Sequence, residues 1–313
     1  MLFRDKPIFN QVVTVFSYKG FSFYSIKGKA DKSVGSAFTA SFKADPSKER
    51  LAFSLKGAVT ANGQALEEKD MAYVPVNSAL DLVVPDGSVA YVAEAAGTKA
   101  YPAYVKRFKE VKPLTVGLRN YTRLVRTMLG EGDPANSFLA GYTDELPGEW
   151  SSYPPHRHEG KPEAYVFYGV NPGFAVQVSM TEEGETAYVV RDFDVFLVTG
   201  GYHPHASSPL TGSGYAWVIA APEGERKLEV EVHPDFKGED FGKSHLTVKR
   251  SKGDGRFPFS FSGEEQGENG REGLALVSTV AEVGCAKSTS RLAEGPRPAP
   301  FSTRGKGPKA WPA

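Results

Sequence analysis

Apolar residues in this chain arrive in strand-length pieces broken again and again by turn formers, with 33 glycines and 22 prolines among 313 residues. A globular helix needs an unbroken 3.6-residue periodicity over roughly ten residues or more, and such punctuation leaves little room for one. An all-β architecture of short strands is what the pattern permits. Phe21 to Ile26, Ser36 to Phe42, Leu51 to Leu55, Met71 to Val76, Ala79 to Val84 and Val89 to Ala93 define a first β-sandwich or barrel, from about residue 10 to about residue 105. Within it, Asn62-Gly63 is the dipeptide expected at a tight hairpin.

A second β unit runs from Val116 to about Val232, with strands expected at Ser137 to Tyr142, Ala164 to Tyr168, Phe174 to Met180, Ala187 to Val190, Val195 to Val198 and Ala216 to Ala220. Two units of similar size suggest a duplicated domain. Between them, Tyr121, Leu124, Val125 and Met128 recur at helical spacing and predict a short helix over Asn120 to Leu129. The expected division is an N-terminal barrel over 1–110, a C-terminal barrel over 111–240 and a tail over 241–313. Apart from Leu274 to Ala281, that tail is rich in Gly, Ser, Pro and charge, so it is expected to be mostly disordered.

Basic and acidic residues balance at 37 each, which gives no electrostatic footprint for nucleic acid or an anionic membrane. No apolar run reaches the roughly 18 residues of a membrane span, and the first residues lack a secretory core, so a soluble cytoplasmic protein acting on a small molecule is expected. The single cysteine, Cys285, excludes an intrachain disulfide framework.

One cluster carries chemistry. His156 and His158 flank Arg157, and on an extended strand alternate side chains share a face, so two imidazoles aim at one point while Arg157 turns away. A Gly- and Pro-containing turn then leads to Glu163 at the head of an aromatic strand, which brings a carboxylate back toward the imidazoles. His203, after the turn Thr199-Gly200-Gly201, adds a third imidazole from a distant part of the chain. Three nitrogens and one oxygen suit Zn, Mn, Fe, Co or Ni, and ligand type does not choose among them. With no cysteine nearby, a closed structural zinc site is not expected. The first β unit contains no histidine, which leaves it packing, dimer contacts in a homo-oligomer, or closure of the site. His205, His233 and His245 are not expected to bind metal.

The run Trp150-Ser-Ser-Tyr-Pro-Pro-His-Arg-His158, with Glu163, the stretch Asn171 to Gln177 and the stretch Asp192 to Pro204, resembles the 5-deoxy-glucuronate isomerase family of inositol catabolism. Gly117, Asn120, Arg123 and Val125 match a pattern just upstream. The resemblance implies a bicupin, two jelly-roll cupin β-barrels in one chain, related to the 5-keto-4-deoxyuronate isomerase of the pectin pathway. It implies a divalent ion on His156, His158, Glu163 and His203, and conversion of 5-deoxy-D-glucuronate to 5-dehydro-2-deoxy-D-gluconate. The chain departs from the family at Thr199, usually Pro, at Phe193, usually Gly, and at Val178, where the usual Arg would place a positive charge near the pocket.

Further roles follow from side-chain chemistry. Glu163 is the first candidate for the proton-moving base only if the ion does not hold it tightly, and the base stays unassigned. Gln177, on a strand of the same barrel, is expected to hydrogen-bond a ligand or the substrate. Arg123 offers a bidentate match to a uronate carboxylate, and Tyr153 joins it as a candidate substrate contact. Two rival readings remain, a cupin oxygenase or oxidase using Fe or Mn and a non-catalytic sugar-binding bicupin.

Overall fold

The computed structural model describes residues 1–237 except Val34 and Pro209, together with residues 244 and 246–248. Cys285, His245 and most of the expected tail lie outside the described residues.

The first half is a sandwich of two antiparallel sheets. One has six strands, in the order Tyr104–Lys106, Met71–Val74, Lys48–Lys56, Val89–Ala96, Phe21–Lys27 and Val12–Tyr18. It faces a sheet of Ala37–Phe42, Leu80–Pro85, Val59–Ala61 and Gln64–Leu66. Ile26, Ala52, Val74 and Val92 from the larger sheet meet Ala40, Val59, Leu82 and Val84 from the smaller in one buried core. The expected hairpin is present, with Asn62 at φ 47° and Gly63 at φ 79°, both in the left-handed region that a two-residue turn requires.

The second half repeats the plan. Its seven-stranded sheet runs Leu2–Phe3, Val195–Val198, Glu163–Tyr168, Ser213–Ala220, Phe138–Glu145, Arg123–Leu129 and Leu114–Val116. A sheet of Trp150–Ser151, His205–Ser207, Ala175–Thr181 and Gly184–Val190, and a smaller one of His156–Arg157, Glu229–Val232 and Thr247–Val248, complete the unit. Val125, Leu139, Phe167, Phe196 and Ile219 form its core with Ala175 and Val190.

A third apolar cluster joins the halves. Strand alternation sends Phe23, Phe53 and Tyr91 away from the first core, where they meet Phe138, Ala140, Tyr142, Val166 and Leu197 from the second. Lys48–Lys56 is therefore buried on both faces along almost its whole length, as a strand between two packed layers must be.

Three expectations require correction. The helix over Asn120 to Leu129 is a strand, Arg123–Leu129, preceded by one 3-10 turn at Arg119–Tyr121. A register shift between Thr127 and Leu129 buries Met128 and Leu129 together, and this break in the alternation imitates helical spacing. Residues at the start of the 1–110 unit belong to the other half, because Leu2–Phe3 pairs with Val195–Val198 and covers an edge that would otherwise stand open. Finally, the tail boundary at 241 is too early: Thr247–Val248 lies parallel to Glu229–Val232, and Leu246 packs beside the second core.

Candidate metal centre

His156 is fixed by pairing of its short strand with Glu229–Val232, where it opposes Val232. Glu163 opens a central strand of the seven-stranded sheet, between Val198 and Ile219. His203 follows the Gly200-Gly201 turn. There a Cβ on Gly201 would stand 2.5 Å from the Met180 carbonyl oxygen, so this approach of the loop to its neighbour needs glycine.

These folds bring the expected ligands together. The three imidazole ring centres lie 5.0 to 5.7 Å apart, and one nitrogen from each falls within 4.8 Å of the others. Glu163 Oε2 stands 3.4 Å from His158 Nε2 and 3.3 Å from His203 Nε2. Ligand atoms that sit about 2.0–2.2 Å from a shared ion are separated by about this much, whereas a hydrogen bond would be shorter. Glu163 Oε2 and His203 Nε2 are both buried without a hydrogen-bond partner, a costly arrangement unless a cation satisfies them. The residues therefore fit a bound metal ion.

Protonation favours the same reading. Burial holds the His158 imidazole down to about 4, against the opposing pull of Glu163, and burial with its two histidine neighbours holds His156 well below its ordinary value. Both rings are neutral near pH 7, with lone pairs free for a metal. His156 Nδ1 lies 2.9 Å from the Pro154 carbonyl and His203 Nδ1 3.3 Å from that of Gly201, contacts that direct each Nε2 inward.

The cavity at this centre is about 20 Å³, room for an ion or a water. Arg123, Ser152, Tyr165, Tyr215, Trp217 and Leu246 are among its walls. Arg123 is buried and donates to the Tyr121 carbonyl at 3.0 Å, and burial lowers its pKa against the pull of Tyr215 and Glu145.

The remaining expected residues sit elsewhere. The Gln177 side chain is fully buried but does not line the cavity; its Nε2 donates to the carbonyls of His203 at 2.9 Å and Pro204 at 3.2 Å, so it holds the ligand loop from behind. Tyr153 also lies off the cavity, in an aromatic group with Tyr121, Trp150 and Phe236. Arg157 turns away as alternation requires and pairs with Glu231 at 2.8 Å. Val178 is half-buried on the strand face opposite Gln177, so an arginine there would not point into the cavity, contrary to expectation.

Sequence reasoning missed the polar group beside the cavity. Glu145 is enclosed, and burial raises its carboxyl to about 8, even though hydrogen bonds from Ser151 and Ser213 and the charge of Arg123 all favour the carboxylate. His205, set aside as a ligand, is wholly buried, with Nε2 3.1 Å from Ser213 Oγ. Its ring is held down to about 3 by burial.

Fold and site together define a protein of two cupin-like β-sandwiches whose second half brings three histidines and a glutamate close together beside one small cavity. The sequence model of the KduI/IolB family matches residues 20–238, and the chain belongs to that family. The resemblance carried by the Trp150–His158 run is thus borne out. Over 175 residues it is 34% identical to the 5-deoxy-glucuronate isomerase of Geobacillus kaustophilus (strain HTA426), a match covering 52% of this chain and 63% of that protein. It is 24% identical over 174 residues to the 4-deoxy-L-threo-5-hexosulose-uronate ketol-isomerase of Bacillus pumilus (strain SAFR-032), covering 53% and 63%. The chain therefore spans less than two thirds of the length of these relatives. Among solved structures, an IolB-like protein from Salmonella typhimurium LT2 superposes with a TM-score of 0.59 at 22% identity, over 69% of this chain and 89% of that one, and supports the fold.

Proposed function

We propose that this protein is a metal-dependent aldose–ketose isomerase acting on a deoxy uronic acid, with 5-deoxy-D-glucuronate to 5-dehydro-2-deoxy-D-gluconate as the reaction. The observation that carries the reading is the meeting of three buried imidazoles with Glu163 beside a cavity that Arg123 lines, within a family whose relatives bear isomerase names. His156, His158, His203 and Glu163 would hold a divalent ion, Zn, Mn, Fe, Co or Ni. Such an ion supplies Lewis acidity to adjacent oxygens of a sugar and stabilises negative charge that develops there.

The chain's own residues supply the rest. Arg123 binds the substrate carboxylate, where a buried guanidinium gives both charge and a planar pair of donors. Gln177 acts indirectly, by fixing the backbone that presents His203. Glu163 accepts or returns a proton to the extent that the ion leaves one oxygen free. The cavity as it stands takes little more than an ion and a water.

The test is a coupled assay of 5-deoxy-D-glucuronate and 4-deoxy-L-threo-5-hexosulose-uronate, under anaerobic conditions, on protein whose bound ion has been identified. Isomerised product without oxygen is expected. No product from either acid with every metal tried would overturn the reading, and product only in air would point to an oxygenase instead.

A further inference from the structure

The polar groups that this chemistry leaves unused form a continuous line to the cavity. Glu145 closes the strand Phe138–Glu145, paired in register with Arg123 on one side and Ser213 on the other. Ser151 Oγ donates to its Oε1 in a very short contact, and Ser213 Oγ donates to Oε2 at 2.9 Å. The Ser151 oxygen also lies 2.8 Å from the Tyr215 hydroxyl, and that hydroxyl lies 3.3 Å from Ser152 Oγ. Ser152 and Tyr215 both line the cavity with His156, His158 and Glu163, while Glu145 does not reach it.

We infer that Glu145 is a proton reservoir for the cavity, connected to it through the hydroxyls of Ser151, Tyr215 and Ser152. The inference rests on the isomerase reading and deepens it. Conversion of an aldose to a ketose requires the carbonyl oxygen to gain a proton and the neighbouring hydroxyl to lose one, apart from the hydrogen that moves between carbons.

A hydroxyl both donates and accepts, so this line has two polarities. With Glu145 ionised, Ser151 donates to it, Tyr215 to Ser151 and Ser152 to Tyr215, which leaves a Ser152 lone pair toward the cavity. With Glu145 protonated, the carboxyl donates to Ser151 and each hydroxyl turns, so that Ser152 donates into the cavity. Passage from the second state to the first breaks one O–H bond on Glu145 and forms one on the substrate carbonyl oxygen. The adjacent substrate hydroxyl then returns its proton along the same line, Glu145 is protonated again, and nothing is consumed. Tyr165, whose hydroxyl lies 2.7 Å from Ser152 Oγ, donates to Ser152 in both states.

Burial keeps a proton on Glu145 near neutrality, against the pull of Ser151 from the opposed sheet, Ser213 on one neighbouring strand and Arg123 on the other; Tyr215 and the neutral His205 imidazole, 3.5 Å away, also face it. Asp144, next in the chain, favours the protonated form.

The full-length, metal-loaded protein and its Glu145→Gln, Ser151→Ala and Tyr215→Phe variants test this. Each variant should lose about 100-fold in kcat, with KM and metal content unchanged, and lose the solvent deuterium isotope effect of the parent. Because the groups act in series, Glu145→Gln/Ser151→Ala should lose no more than Glu145→Gln alone. Independently of turnover, infrared titration should show a protonated-carboxyl band that disappears as pH rises through about 8 and is missing in Glu145→Gln. Should that band appear while neither uronate is turned over, the isomerase reading fails and the protonated carboxyl remains. Absence of the band near neutrality, kcat within about twofold of the parent in Glu145→Gln or Ser151→Ala, or additive losses in the pair would overturn the reservoir.

Discussion

Replacement of Glu145 by Gln should remove a pH dependence from folding stability, and the magnitude can be worked out from the site. The carboxyl moves from 4.5 in the unfolded chain to about 8 in the fold. A raised pKa means that the folded state holds the proton more tightly, so its stabilising preference is complete below pH 4.5 and is lost as pH rises toward 8. At 1.36 kcal/mol per pH unit the loss is about 3 kcal/mol at pH 7 and approaches about 5 kcal/mol by pH 9, an upper bound if water enters or the site relaxes. Urea denaturation of parent and Glu145→Gln at pH 7 and pH 9 checks this. Both pH values lie above the ordinary 6.5 of His156, His158 and His205, whose lowered pKa values weaken the fold only as pH falls through that value. The amino group of Met1, lowered by burial to about 6, gains the fold stability over the same interval, but equally in both proteins. The parent should therefore lose between about 1 and 2 kcal/mol more than the variant from pH 7 to pH 9. Equal changes in the two proteins would refute the assignment of a protonated, buried Glu145.

Three further outcomes are expected. His203→Ala should abolish metal binding and activity while the strand content measured by circular dichroism is kept, because apolar burial and strand pairing hold the sandwiches together; full metal occupancy in the variant, by elemental analysis, would contradict the ligand set. Gln177→Met keeps the side-chain volume but removes the side-chain donor to the His203 carbonyl, whereas that of Pro204 keeps the Val178 N–H, so stability should fall by about 1–3 kcal/mol and metal affinity by about 10- to 100-fold, read by denaturation and by competition with a chelator. Phe193 stands at φ 67°, where a non-glycine residue costs about 1–2 kcal/mol, and its half-buried ring repays part of that cost. Phe193→Gly should thus be more stable than Phe193→Ala by about 1 kcal/mol, and the usual opposite order would show that no strain is stored there.

The convergence of His156, His158, Glu163 and His203 was legible because each part of it has a short-range sign. Alternation puts His156 and His158 on one face, a Gly-containing turn precedes Glu163, and a Gly pair precedes His203, so the geometry follows from local rules. The strands of both sandwiches were legible for the same reason. Where the local rule was broken, the reading failed: one bulge within Arg123–Leu129 altered the spacing of apolar residues and made a strand look helical. Leu2–Phe3 was assigned to the wrong half because two residues carry no period at all, and only the open edge at Val195–Val198 decides where they pair.

The line from Glu145 to the cavity had no sign of either kind. Glu145 lay beyond the strand expected at Ser137 to Tyr142, and Ser151 and Ser152 were read only as part of the family-like run before the histidines. What makes them a unit is tertiary: Phe138–Glu145 pairs with Ser213–Ala220, and the strand Trp150–Ser151 of the other sheet brings Ser151 to that pair, so hydroxyls from two separate stretches meet one carboxyl. The same sheet register that brings Arg123 beside Glu145 also carries Arg123 to the cavity wall. The Arg123 wall of the cavity and the buried acid are thus two consequences of one strand pairing, and a substitution that shifted the register of Arg123–Leu129 against Phe138–Glu145 would disturb both at once.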